Sequence, residues 1–236
     1  MKRPQSNAAA PHPRNRSEVS ALPAAASRRG GRPTRDEAER LGERILDAAT
    51  ALFFSAGYGA TTIEAVARRA RIAKRTLYHR FDDKSALFAA VVHRTIDRLR
   101  PPRDVPLLAG ANLVETLQHL AGLILRAAVS PPAVALHRLI VAESARFPKL
   151  AAVVTEQGGA DEAIRLIAGL LEHEARAGDV MLDNPRFAAE QFMHMVIGVP
   201  QRRAMGLGKP MTPVELEAWA RAVVNLFLNG CRGSAR

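Results

Sequence analysis

The chain has 236 residues, 47% of them apolar and only 5% aromatic, and it carries a formal net charge of +11. The apolar share can build a core, which excludes wholesale disorder, and no apolar run reaches the roughly 18 to 20 residues of a membrane span. One cysteine, Cys231, excludes an intramolecular disulfide framework and offers no metal cluster. Short β-branched runs and abundant Ala and Leu favour helix throughout, so the expected class is all-α. Lys2 and Arg3 open like a signal peptide, but the polar "PQSNAAAPHPRNRS" stands where the apolar segment belongs. The expectation is a cytoplasmic protein with no membrane contact.

The charge is unevenly placed. Residues 1–100 hold 20 basic and 10 acidic side chains; residues 101–236 hold 14 and 13. This asymmetry predicts a polyanion partner for the N-terminal part, either nucleic acid or an anionic surface. Residues 1–33 combine Pro, Ala, Ser and Asn with scattered Arg and offer nothing to bury, so they are expected to be a disordered basic arm. Within it "RRGGRP", residues 28–33, is similar to an AT-hook core without the Arg before Gly-Arg-Pro. Gly30 and Gly31 would let Arg32 and its neighbours enter an A·T-rich minor groove. A tail without a role is the other reading.

Structure is predicted to start at Thr34, where "TRDE" has the spacing of a capping box with Glu37. Leu41, Ile45, Ala48, Ala49, Leu52 and Phe53 follow on one helical face until Gly57 and Gly59 break it. A second box, Thr61 to Glu64 in "TTIE", opens a short helix with Ile63, Val66, Ala67 and Ala70 inward. After a tight turn, a third helix is expected over about 73–81. Two short helices joined by a tight turn, about 61–81, read as a helix-turn-helix. Leu77 and Phe81 would share an inner face with Ile72. Lys74, Arg75, Thr76, Tyr78, His79 and Arg80 would remain outside, where long cations and hydroxyls suit phosphates and base edges.

"ILDAATALFFSAGYGATTIEAVARRARIAKRTLYHRFDDKSALFAAVV", residues 45–92, resembles the DNA-binding domain of TetR-family transcriptional regulators, most tellingly in "TLYHRF…K…LF". The resemblance implies that Thr62, Thr76, Tyr78 and Lys84 contact phosphates and that Lys74, Arg75 and His79 read bases. Arg80 stands where the family more often has an aromatic residue or His. Two positions depart from the family: Arg71 occupies the usual turn Gly, and Ala73 the usual Ser or Thr cap. Positive φ at Arg71 and the lost cap at Ala73 would each cost about 1 kcal/mol, so either the turn differs slightly or the domain gives up some stability in exchange for an extra cation beside the phosphates.

A connecting helix is predicted over 83–100, ended by Pro101 and Pro102. Beyond the linker, residues 111–230 read as a second, wholly helical domain. Its helices are expected at about 111–129, 133–147, a short one to 157, 160–177, 185–205 and 213–229. "TPVE" opens the last with Thr212 as cap and Glu215 closing the box. "RFPKLAAVV" and "AAEQFMHMV" make this region similar to the ligand-binding and dimerisation domain of the AefR-like branch. No zinc-protease helix or glycine-flanked nucleophilic Ser appears, so no enzyme, metal or cofactor is expected. His119, Leu123, His137, Met193 and His194 are the candidates for lining an apolar effector pocket, each also readable as ordinary structural packing. Trp219, Val223 and Phe227, at four-residue spacing, are candidates for a homodimer interface, with intramolecular core as the other reading.

The combined expectation is a regulator, a repressor in its action, that binds a near-palindromic double-stranded DNA operator as a homodimer and is released by a small apolar effector. An architectural DNA-binding protein relying on the arm and net charge is the alternative, and a helical lipid carrier with a basic membrane-facing side is a third.

Overall fold

The computed structural model describes residues 34–156 and 159–231, which form ten α-helices and no strand. The arm, including Arg32, lies outside the described residues. Helix α1 runs Arg35–Ala60, α2 Ile63–Arg69, α3 Lys74–Tyr78, α4 Lys84–Leu99, α5 Leu113–Ala128 and α6 Pro131–Glu143. They are followed by α7 Pro148–Glu156, α8 Gly159–Ala177, α9 Pro185–Ala204 and α10 Pro213–Cys231.

The helix starts are chemically explicit. Thr34 and Glu37 satisfy each other's backbone amides at the head of α1, and Thr212 and Glu215 do the same before α10. Asp83, Asn112, Ser130 and Asn184 cap α4, α5, α6 and α9. The box predicted from Thr61 to Glu64 does not form, and the cap lies one residue later. Helix α1 kinks at Gly57 (φ 86°) and continues one turn to Ala60. That leaves Thr61 buried at its C-terminus, where its hydroxyl donates to Gly57 O at 2.7 Å. Thr62 therefore caps α2, accepting from Ala65 N at 3.1 Å. Helix α3 is also shorter than predicted; His79 and Arg80 form a turn, closed by Phe81 N–H donating to Leu77 O.

Two cores organise the chain. The first joins α1–α4 through Ile45, Phe53, Val66, Leu77, Leu87, Phe88 and Val91. Phe53, Tyr58 and Phe88 form an aromatic cluster within it, with ring centroids 5.2 to 5.7 Å apart. Leu136 and Leu139 of α6 and Leu150 of α7 belong to this same core, so the first half of the 111–230 region is split between the two. The second core joins α5, α8, α9 and α10 through Leu117, Leu125, Ile167, Leu171, Phe192, Val196, Val224 and Leu228. Between α4 and α1, Arg94 is 11% exposed and bridges Asp47 at 2.8 Å and Glu43 at 3.1 Å. Its second nitrogen donates to Thr50 Oγ1 at 2.8 Å, so the guanidinium is well satisfied where it lies.

The predicted dimer stripe is core instead. Val223 and Phe227 are buried, and Phe227 packs edge-on against Phe192 with centroids 5.0 Å apart. Trp219 donates its indole N–H to Val196 O at 2.9 Å. Helices α5 and α9 pack against α10 closely enough to bury Val223 and Phe227 together with Val224 and Leu228, which removes the premise that one chain could cover only one side.

Candidate nucleic-acid interface

The turn between α2 and α3 supports the helix-turn-helix geometry despite its unusual residues. Arg71 adopts the left-handed conformation that the turn requires (φ 55°), and Ile72 N–H donates to Ala67 O at 3.0 Å. Ala73 is the N-cap of α3 and supplies no side-chain hydrogen bond. Leu77 is fully buried, with Ile72 and Phe81 packed beside it. This leaves Arg75, Tyr78 and His79 exposed on α3 and its following turn, with Thr76 half-buried. Tyr78 is 45% exposed, so its hydroxyl is available to an external acceptor. Thr62 is exposed at the head of α2, its hydroxyl oxygen accepting from Ala65 N–H. Arg68 and Arg69 at the end of α2 add exposed cations that the sequence reading did not single out.

Three of the expected DNA-contacting side chains are engaged within the protein. Lys74 pairs with Glu64 of α2 and lies 5.5 Å from the Tyr78 ring centre. The hydrogen bond from Lys74 holds the Glu64 carboxyl below the ordinary glutamate range, and the same bond raises the Lys74 ammonium. Arg80 turns back onto α1, donating to Ala38 O at 2.9 Å beside Gly42, where a Cβ would meet its guanidinium. Lys84 points inward: its ammonium donates to Tyr58 O and Thr61 O at 3.0 and 3.1 Å, and to Gly59 O at 3.4 Å. It also lies 4.4 Å from the Tyr58 ring centre. Arg80 and Lys84, both expected to contact DNA, thus join elements within the protein, with Arg80 still exposed. Spacing placed Arg80, and the family resemblance Lys84, as cations near α3; only packing shows which way they turn.

The five candidate effector residues do not converge. His119 donates from Nε2 to Pro106 O at 2.9 Å and so ties the linker to α5. Leu123 and His137 are half-buried on different helices, Met193 is buried in the second core, and His194 is exposed on α9. None lines the larger cleft, of about 900 Å³, which lies among Leu113, Val114, Thr116, Leu170, Val180 and Leu228 with Glu115, Glu174 and Asp179 at its edge. A smaller cavity of about 270 Å³ lies between α1 and α6, bounded by Phe53, Phe54, Leu139 and Glu143. No group of three or more metal-ligating side chains exists among the described residues. Nor does any single helix among them have the length and apolarity to cross a membrane.

Helices α9 and α10 each leave an outward stripe. On α10 it is Val214, Ala218, Ala222 and Leu226, with Val214 73% and Leu226 66% exposed. On α9 it is Phe187, Gln191, His194 and Gly198, with Phe187 58% exposed.

Comparison with known proteins agrees with this arrangement. Residues 45–91 match the family described as bacterial regulatory proteins, tetR family, and residues 115–230 match the AefR-like transcriptional repressor C-terminal domain. The solved structure of the flavonoid-responsive regulator FrrA is 34% identical, covers 84% of this chain and 100% of its own, and superposes with a TM-score of 0.71. A TetR-family transcriptional regulator of Mesorhizobium loti is 29% identical over 85% of this chain and all of its own, with a TM-score of 0.69. Among curated relatives, the transcriptional activator FasR of Mycolicibacterium smegmatis is 42% identical over 33% of this chain and 34% of its own length. The repressor KstR of the same organism is 36% identical over 36% of this chain and 42% of its own. The match to these curated relatives thus spans well under half of their length. With both family regions present and a full-length structural relative at this identity, the chain belongs to the TetR family of DNA-binding transcriptional regulators.

Proposed function

We propose that the protein is a ligand-responsive repressor that binds a near-palindromic operator as a homodimer and leaves it when a small, largely apolar effector binds. The observation that carries this reading is the exposure of Arg75, Tyr78 and His79 on α3 and of Thr62 at the head of α2, in a chain whose first 100 residues hold 20 basic and 10 acidic side chains. Arg75 and His79 read bases; Tyr78, Thr62 and the half-buried Thr76 contact phosphates. Lys74 reaches DNA by exchanging Glu64 for a phosphate or a base edge. Arg32 and the arm add minor-groove contacts. A single α3 touches too few bases for useful specificity, so two protomers read two half-sites. The outward stripes of α9 and α10 supply the dimer contact in place of the Trp219, Val223 and Phe227 stripe.

The effector class is argued from FrrA, whose name describes a flavonoid response and which aligns over its whole length. A planar aromatic molecule with a few hydroxyls suits the cleft at α5, α8 and α10, where apolar walls meet carboxylate acceptors at the edge. Binding there shifts the population toward a form with wrongly spaced α3 helices. The protein works in the cytoplasm, where its operator is. The test is to load the protein on a duplex selected from random sequence, measure protomers per duplex, and titrate a panel of flavones and flavanones. Two protomers per duplex and release by panel members are expected. One protomer per duplex, with binding that depends only on salt and not on sequence, would favour the architectural alternative.

A further inference from the structure

The last turn of α1 is gripped from two directions. The kink at Gly57 interrupts the helical ladder, so amides just beyond it lose their usual acceptors. Gly59 N–H instead donates to Oε1 of Glu143, the last residue of α6, at 3.1 Å. The approach is close: a Cβ on Gly57 would lie 2.5 Å from that oxygen, and its φ of 86° independently favours glycine. From the opposite side Lys84 of α4 holds the carbonyls of Tyr58 and Thr61. Phe147, just past Glu143, packs edge-on against Tyr58 with centroids 5.0 Å apart.

The segment held in this way leads directly to Thr62, the cap of α2 and the entry to the helix-turn-helix. The segment that holds it, α6, is joined to α5 of the second core by only Val129 and Ser130. Arg138 of α6 also donates to Ala204 O at the end of α9. Glu143 therefore stands at the point where a displacement of α6 reaches the backbone that aims α2 and α3. The small cavity between α1 and α6 has Glu143 in its wall, so the carboxylate has space to leave the amide without a steric clash.

We propose that Glu143 is a positioning residue for operator recognition. By accepting the Gly59 amide, its side chain sets the angle between the helix-turn-helix and α6, and with it the separation of the two α3 helices in a dimer. The proposal rests on the two-half-site reading above. Glu143 does not touch DNA, and its charge is not the active feature; what matters is a hydrogen-bond acceptor at the correct reach.

Glu143→Gln and Glu143→Leu separate these ideas, because both remove the charge and only the first keeps an acceptor. The DNA probes are the duplex enriched from random sequence by the unmodified protein and a random duplex of equal length. Glu143→Gln is expected to bind both as the unmodified protein does. Glu143→Leu is expected to lose roughly tenfold on the enriched duplex, the scale of a modest coupling, with random-duplex binding unchanged. Hydrogen exchange at the Gly59 amide, read without DNA, should quicken in Glu143→Leu and stay slow in Glu143→Gln. Equal Gly59 protection in all three proteins would remove the latch, whatever the DNA results. Quickened exchange with undiminished preference for the enriched duplex would show that the latch exists but does not position the domain, which also overturns the proposal. A failure of the two-half-site reading is distinguished by the unmodified protein alone, which would then enrich no symmetric duplex.

Discussion

The Lys84 ammonium lies 4.4 Å from the centre of the Tyr58 ring and donates to the carbonyls of Tyr58 and Thr61 at 3.0 and 3.1 Å. An ammonium has three protons, and Gly59 O at 3.4 Å receives the remaining one, so no donor is left for a phosphate. Lys84→Met keeps the apolar stem and removes these bonds. The expected result is a loss of about 2 kcal/mol of stability, read from the urea midpoint. The slope of log affinity against log salt should not change. A slope lower by roughly one at unchanged stability would return Lys84 to the phosphate backbone.

Glu64 pairs with Lys74 on the surface of the helix-turn-helix. Glu64→Gln is expected to strengthen binding to enriched and random duplexes alike and to steepen the salt slope by roughly one, since one more cation meets DNA unpaired. The depressed Glu64 pKa fixes the sign of the pH effect on stability. Its contribution is fully present above the unfolded-state glutamate value and is lost as pH falls through the lower folded-state value. The stability difference between parent and variant should therefore stay flat from neutral pH down to the ordinary glutamate range and narrow only below it. A difference that already narrows near neutrality would contradict the pairing.

The α2–α3 turn carries two local costs that substitution can remove. Arg71→Gly relieves a left-handed non-glycine residue and should raise stability by about 1 kcal/mol. Ala73→Ser restores an N-cap acceptor and should add about 1 kcal/mol. Arg71→Gly should also weaken binding to both duplexes, because it removes an exposed cation beside the recognition helix. Thermal unfolding of the two variants and the double variant checks this. Loss of stability in either single variant would mean that the turn is not strained as its dihedrals indicate.

Much of this was legible in the sequence because it is local. Helix boundaries follow from caps and prolines, and the inward Ile72, Leu77 and Phe81 follow from spacing. Of the two alternatives at Arg71, an altered turn or a left-handed residue, the chain takes the second, with φ 55°. What spacing could not supply is the third dimension. Lys84 and Arg80 carry the right charge at the right place, yet their direction depends on carbonyls of α1 some 26 and 42 residues earlier. Likewise, the spacing of Val223 and Phe227 points to an interface until α9 is seen to cover them. Glu143 gave no signal in sequence, because its partner Gly59 is 84 residues away and contributes only a backbone amide.

The corrected position of α10 makes opposite predictions for neighbouring residues. Phe227→Asp places an unpaired charge in the second core and should unfold that part of the protein, at a cost of several kcal/mol. Leu226→Asp changes an exposed residue and should give a well-folded monomer with weakened binding to a two-half-site duplex. Sedimentation and circular dichroism on both variants distinguish these outcomes. A folded monomer from Phe227→Asp, or an intact dimer from Leu226→Asp, would contradict this placement of the interface.

Two protomers related by two-fold symmetry, each reading DNA through α3, would leave a symmetric signature in the sequences they select. Selection of bound sequences from a random duplex pool at moderate salt tests it most directly. Enrichment of a near-palindrome is expected, with two half-sites about one helical turn or a small multiple of it apart. Enrichment of a single unsymmetric site, or A·T-rich sequence without a repeated half-site, would contradict it.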